Sequence, residues 1–155
     1  MSDAKKKVVA KVAELGPKLI ELSHWIHAHP ETAWNEVESA AHISKFLRDF
    51  GFEVTEKVSG LDTAFRAEFG SGDLTIALCA EYDSLPGLGH ACGHNIIAAS
   101  SVGSALALAA VADELKIKVV VLGTPAEEGG GGKIIMLERG AFEGIDVTAL
   151  VHPGP

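Results

Sequence analysis

Apolar positions Val8, Val12, Leu15, Leu19, Leu22 and Ile26 recur at spacings of three and four. That is the period of one helix face, so an amphipathic helix is predicted over about 3–29. Gly16-Pro17 falls inside it. A mid-helix proline removes a backbone donor and crowds the preceding turn, so a kink or a split into two helices is expected. His29-Pro30 ends the helix, because the residue before a proline avoids the helical region. A second helix is predicted over about 36–50, with Asn35 as N-cap, Glu38 three residues on and Gly51 just past its end. Its inner face is Ala40, Ile43, Leu47 and Phe50.

The period then changes. Residues 52–58 alternate and read as a half-exposed strand. Residues 63–69 form another, and the turn Gly70-Ser71-Gly72-Asp73 predicts a hairpin with the next run, 74–80. That run is apolar enough to be buried on both faces. A small-residue helix over 96–112, a buried strand over 118–123, a helix over 131–139 and a third buried strand over 147–151 follow. The order β-α-β-α-β gives an α/β fold with parallel strands and right-handed crossovers. No repeat, low-complexity tract or domain boundary interrupts the chain.

In open α/β sheets, sites form outside the carboxyl ends of the strands. Three polar clusters fall there: Asp83 with Gly89-His90-Ala91-Cys92-Gly93-His94-Asn95, then Pro125-Ala126-Glu127-Glu128, then Val151-His152-Pro153. Cys92 and His94 flank one glycine, and thiolate with imidazole favours zinc among common metals. Taken alone, Cys-Gly-His is more often a buried cysteine beside a capping histidine. Glu127 and Glu128 are adjacent like charges that a nearby cation would reconcile, one as ligand and one as general base. Taken alone, such a pair is more often a solvated loop. His152 by itself reads as a hydrogen-bonded core residue. Asp83 either caps a helix or orients a ligating histidine. His27 and His29 read as structural groups at a helix end. Gly129 to Gly132 permits close backbone approach to a ligand, or simple flexibility. What favours metal chemistry is that three separate strand ends all supply ligand-type residues.

Composition narrows the class. The chain of 155 residues is 47% apolar and 22% charged, enough for one domain with a core. A net charge of -8 disfavours nucleic acid and anionic membranes as partners. The two cysteines, one in an apolar run and one in a polar cluster, do not make a disulfide framework. The start lacks an apolar signal core and no segment reaches spanning length, so a cytoplasmic protein is expected.

Taken together the residues resemble a known family. Matching stretches are His27-Ala28-His29-Pro30-Glu31, Tyr82-Asp83-Ser84-Leu85-Pro86-Gly87, the Cys-Gly-His cluster, Gly123-Thr124-Pro125-Ala126-Glu127-Glu128 with Gly129 to Lys133, and His152-Pro153. They resemble the amidohydrolase branch of the co-catalytic zinc aminoacylase and carboxypeptidase family. That branch includes hippurate and auxin-conjugate hydrolases, p-aminobenzoyl-glutamate hydrolase and cytosolic dipeptidases. The resemblance implies that Cys92, His94, Glu128 and His152 are metal ligands and that Glu127 is the general base and acid. Asp83 joins it as the catalytic-site residue behind a ligating histidine. Cys92 takes the place of a bridging carboxylate, and Asn95 departs from the Asp of many auxin-conjugate hydrolases.

The resemblance further implies a three-layer, zinc-peptidase-like catalytic domain with a mixed sheet. It implies two divalent ions in the complete enzyme, zinc first and manganese or cobalt next, and a small N-acyl amino acid or dipeptide substrate. Residues 1–155 then correspond to the N-terminal part of the catalytic domain, with the lid or dimerisation domain absent. A non-catalytic fragment with a partial metal site is the competing expectation. Its uncovered apolar surface would drive self-association into a homo-oligomer. A nucleotide-binding module built on the glycine run is disfavoured, because two acids precede the run and no Gly-Lys-Ser/Thr is present.

Overall fold

The computed structural model describes residues 1–154. Helix α1 spans Asp3–Ala28 and α2 spans Val37–Asp49. Strands β1 (Glu53–Glu56), β2 (Phe65–Phe69) and β3 (Leu74–Ala80) follow, with a 3-10 turn at Val58–Gly60. Then come α3 (His94–Ala109), the short α4 (Ala112–Leu115), β4 (Ile117–Gly123), α5 (Gly132–Glu138) and β5 (Val147–Ala149).

The long first helix is not split at Gly16-Pro17; Pro17 lies inside one continuous helix. An interior proline costs about 3 kcal/mol or more. Leu15, Leu22 and Ile26 are all buried, and each such side chain contributes about 1.5–3 kcal/mol on burial. Packing therefore outweighs the proline. The inner face expected for α2 is as read, with Ile43 and Leu47 fully buried. Its cap differs: Asn35 makes no cap, and the Glu31 carboxylate instead accepts from the N–H groups of Glu38 (2.9 Å) and Ser39 (2.7 Å). A carboxylate at a helix N-terminus satisfies orphan donors and meets the positive end of the helix dipole.

The sheet is mixed, in the order β1-β2-β4-β3-β5. Strand β3 runs parallel to both β4 and β5, as the β-α-β-α-β pattern requires. The expected β2–β3 hairpin does not form; β2 pairs antiparallel with β4, which lies between them. The 70–73 turn instead passes against the start of β4. A Cβ on Gly72 would stand 1.9 Å from the Lys116 carbonyl oxygen, so glycine is needed there for approach rather than for a tight hairpin.

Side chains alternate across the central strands. Leu78, Ala80, Val119 and Val121 face a core shared with α1, α2 and α3. Ala77, Cys79, Val120 and Leu122 face a second core with Met136 of α5. The sheet is thus the middle of three layers. The small residues of α3 allow close packing: a Cβ on Gly103 would meet Leu19 of α1 at 2.6 Å. Strand β5 departs from expectation. It stops at Ala149 and is exposed throughout, because it is the sheet edge and none of the described residues covers it. Among the described residues no helix is long and apolar enough to cross a membrane.

Candidate metal centre

The carboxyl ends of β3 and β4 and the tail after β5 lie together, and the polar clusters meet there. Just beyond β3, Glu81 and Asp83 both approach the His94 ring, at 3.5 Å and 2.9 Å from its nitrogens, while Tyr82 packs in the core. The Tyr82 hydroxyl donates to the Thr63 carbonyl at 2.6 Å inside the core. Gly93, at φ 78, starts α3 and seats Pro153, whose Cγ lies 2.7 Å from where a Cβ would be. This glycine therefore brings His152 toward His94, and their rings stand edge to face with centroids 6.3 Å apart.

His94 is buried and held through one nitrogen. Its Nδ1 donates to the Asp83 carbonyl at 2.7 Å and lies 2.9 Å from Asp83 Oδ1. Among the described residues Nε2 has no hydrogen-bond partner, and neither has Glu81 Oε2, which faces it at 3.5 Å. Glu128 Oε1 is 3.4 Å from the same Nε2. Ligand-type atoms of Glu81, His94 and His152 all lie within 4.8 Å of one another. Cys92 and Glu128 stand outside that triad. Glu127 is turned to Lys133, whose Nζ lies 3.1 Å from Glu127 Oε2 and 2.5 Å from Glu81 Oε1.

These contacts set the charges. Burial pushes the Asp83 carboxyl up, but His94 and the N–H of Glu128, 3.0 Å from Oδ2, outweigh it and hold the group below its usual range. Burial opposes the imidazolium of His94, yet Asp83 and then Glu81 raise its pKa overall. Lys133 behaves alike: burial works against its charge, and Glu81 and Glu127 overcome that and raise it. Glu128, ahead of burial, pushes the Cys92 thiol up. Buried Cys79 is pushed up to about 11; it lies in the sheet, away from the cluster.

Of the six residues singled out in the sequence, the structure clusters His94 and His152, with Glu81; Asp83 holds His94 from behind, Glu128 lies 3.4 Å from its Nε2, Glu127 faces Lys133, and Cys92 stands outside the cluster. His29 is a helix-end group as read, its Nδ1 bonded to the Trp25 carbonyl at 2.7 Å. His27 also lies in the last turn of α1, and its ring stands 6.3 Å from that of buried His90. Sequence reasoning missed Glu81 and Lys133. Glu81 carried a usable signal, an acid immediately after an apolar strand and two residues before Asp83. Lys133 carried none, because its partners are distant in the chain.

The nitrogen and oxygen donors of Glu81, His94 and His152 fit a borderline divalent ion better than calcium or magnesium, which take oxygen alone. Comparison with known proteins agrees with the geometry. The Xaa-Arg dipeptidase of Mus musculus is 41% identical over 163 residues, covering 96% of this chain and 38% of that protein. A p-aminobenzoyl-glutamate hydrolase subunit of Escherichia coli is 35% identical, covering 86% of this chain and 32% of its own length. The crystal structure of the Bacillus subtilis YXEP protein, a dinuclear metal binding peptidase, superposes with a TM-score of 0.79 at 30% identity. That match covers 88% of this chain and 42% of that one. The chain therefore spans about two-fifths or less of the length of these relatives. The model of Peptidase family M20/M25/M40 matches residues 77–155, the half that carries all three clusters, and the chain belongs to that family.

Proposed function

We propose that this chain is the N-terminal, metal-holding part of the catalytic domain of a metallo-amidohydrolase that cleaves an N-acyl amino acid or dipeptide. One observation carries the reading: His94 Nε2 and Glu81 Oε2 are buried, without a hydrogen bond among the described residues and 3.5 Å apart, while His94 Nδ1 is fixed by Asp83. Leaving each such atom unpaired costs about 1–3 kcal/mol, and a shared cation removes that cost. An imidazole held at one nitrogen by a carboxylate with the other nitrogen free is the usual form of a metal-binding histidine.

Cys92, His94, Glu128 and His152 hold the ion, joined by Glu81. A divalent ion there, zinc by its donor set, supplies Lewis acidity toward an amide carbonyl and makes water acidic near neutral pH. Asp83 fixes the His94 ring. Glu127 accepts the proton of the attacking water and returns it to the leaving amine nitrogen, so acyl carbon and amine separate as acid and amine. Lys133 holds one Glu127 oxygen at 3.1 Å, which leaves the other for water. The relatives' names, a dipeptidase and a p-aminobenzoyl-glutamate hydrolase, both describe amide cleavage.

The test uses the two free thiols. Iodoacetamide is expected to alkylate partly exposed Cys92 and to spare Cys79, because the thiolate is the reactive form and burial disfavours it. Zinc is expected to slow alkylation of Cys92 several-fold. In parallel, the zinc-loaded chain is assayed on N-acyl amino acids and dipeptides. Equal alkylation with and without zinc would remove Cys92 from the ligand set. Protection without turnover would leave the chain a metal-holding role only.

A further inference from the structure

Glu36 is the most deeply buried acid outside the centre, with no exposed surface. Its carboxylate gathers three donors from three segments. Oε1 accepts from the N–H of Ala126 at 2.8 Å and of Trp34 at 3.1 Å, and Oε2 accepts from the Thr63 hydroxyl at 2.9 Å. Two of these donors sit on left-handed backbone, Ala126 at φ 55 and Trp34 at φ 69. Residues with a Cβ adopt that conformation only when the surroundings over-determine it, and such strain concentrates at functional sites.

Ala126 directly precedes Glu127 and Glu128. The turn at Ala126 therefore sets where both acids point. The segment that carries Glu36 is itself anchored beside Asp83: Ser84 N–H donates to the Glu31 carbonyl at 2.8 Å, and Thr32 bridges to Ser84. Farther along the loop, the Trp34 indole covers Gly130, where a Cβ would stand 2.3 Å from the ring. The acid-bearing loop is thus gripped near both ends by residues 34–36, none of which belongs to the cluster of ligand-type atoms at Glu81, His94 and His152.

We propose that Glu36 is a positioning residue of the centre, fixing the left-handed Ala126 turn that aims Glu127 and Glu128. The proposal rests on the reading of those two acids given above. The Ala126–Glu36 bond is the one that sets the acids, and the Thr63–Glu36 bond is structural support.

Cobalt titration, read by the visible absorption of bound Co2+ together with thermal melting, separates the two bonds. Glu36→Met keeps the volume and removes both acceptors; it is expected to weaken Co2+ binding about 10–100-fold, the usual loss for a residue one step behind the ligands, and to alter the absorption bands. Glu36→Gln keeps an acceptor for Ala126, and the Thr63 hydroxyl can accept from the new amide, so binding is expected near wild type. Thr63→Val lowers the melting temperature but leaves affinity and spectrum unchanged. Should Glu36→Met fail to fold, Glu36→Asp, whose carboxylate is retracted by one methylene, carries the same expectation. Wild-type affinity in the Met variant, or equal losses in the Met and Thr63→Val variants, would overturn the proposal. A wild-type chain that binds no Co2+ would remove the metal reading and this role with it.

Discussion

Glu127→Gln is expected to hold metal as well as the wild type and to hydrolyse about 10²–10⁴-fold more slowly, the usual contribution of a positioned general base. The separation comes from geometry. Glu127 is bonded to Lys133 at 3.1 Å, whereas its neighbour Glu128 lies 3.4 Å from the free nitrogen of His94. Glutamine keeps the side-chain length and an oxygen for the Lys133 ammonium, so the loop and the ion position persist. What it loses is the ability to take a proton. Glu128→Gln is expected to do the reverse and give up the ion. The measurements are metal content by elemental analysis and turnover on whichever amide the chain cleaves. A Glu127→Gln protein with intact turnover, or one stripped of metal while Glu128→Gln keeps it, would be incompatible with the two roles.

That division of labour was legible in the sequence only as far as local pattern reaches. The strands β3 and β4, the helix between them and the clusters at their ends follow from apolar runs and from Cys-Gly-His and Glu-Glu spacing. The partner of β2 did not follow. Gly70 to Asp73 is a sound turn signal, but a turn fixes where a chain reverses, not which strand it then meets. The hydrogen-bonding edge of β4 was the better partner for β2, and only the three-dimensional sheet shows it. The residues that support the site were illegible for the same reason. Glu36 lies 90 residues from Ala126 and Lys133 lies 52 from Glu81. Each looks like an ordinary surface charge until the fold encloses it. His94 and Asp83, eleven residues apart, could be paired from sequence because the strand end and helix start that carry them are adjacent elements.

Lys133→Met is expected to convert a protein of ordinary stability into one that depends on metal. Glu81 is 1% exposed, and among the described residues its only cationic partner within the salt-bridge range besides His94 is Lys133 at 2.5 Å. Removing one member of a buried pair costs about 3–5 kcal/mol, since the other charge is left uncompensated. Lys133 itself is 26% exposed, so water shares its charge and the lower end of that range applies. For a chain of this size roughly 2–4 °C of melting temperature is lost per kcal/mol, so a fall of about 6–12 °C is expected in chelator. Zinc should then do more for the variant than for the wild type. Binding to the folded state alone adds about 2.7 kcal/mol at a hundredfold excess over Kd. In the variant the ion also supplies the positive charge that Glu81 has lost, and no ammonium competes for that carboxylate. The zinc-induced rise in melting temperature, measured by calorimetry with and without chelator, is therefore expected to be larger in Lys133→Met. Equal rises in the two proteins would mean that Glu81 answers to Lys133 alone and takes no part in holding the ion.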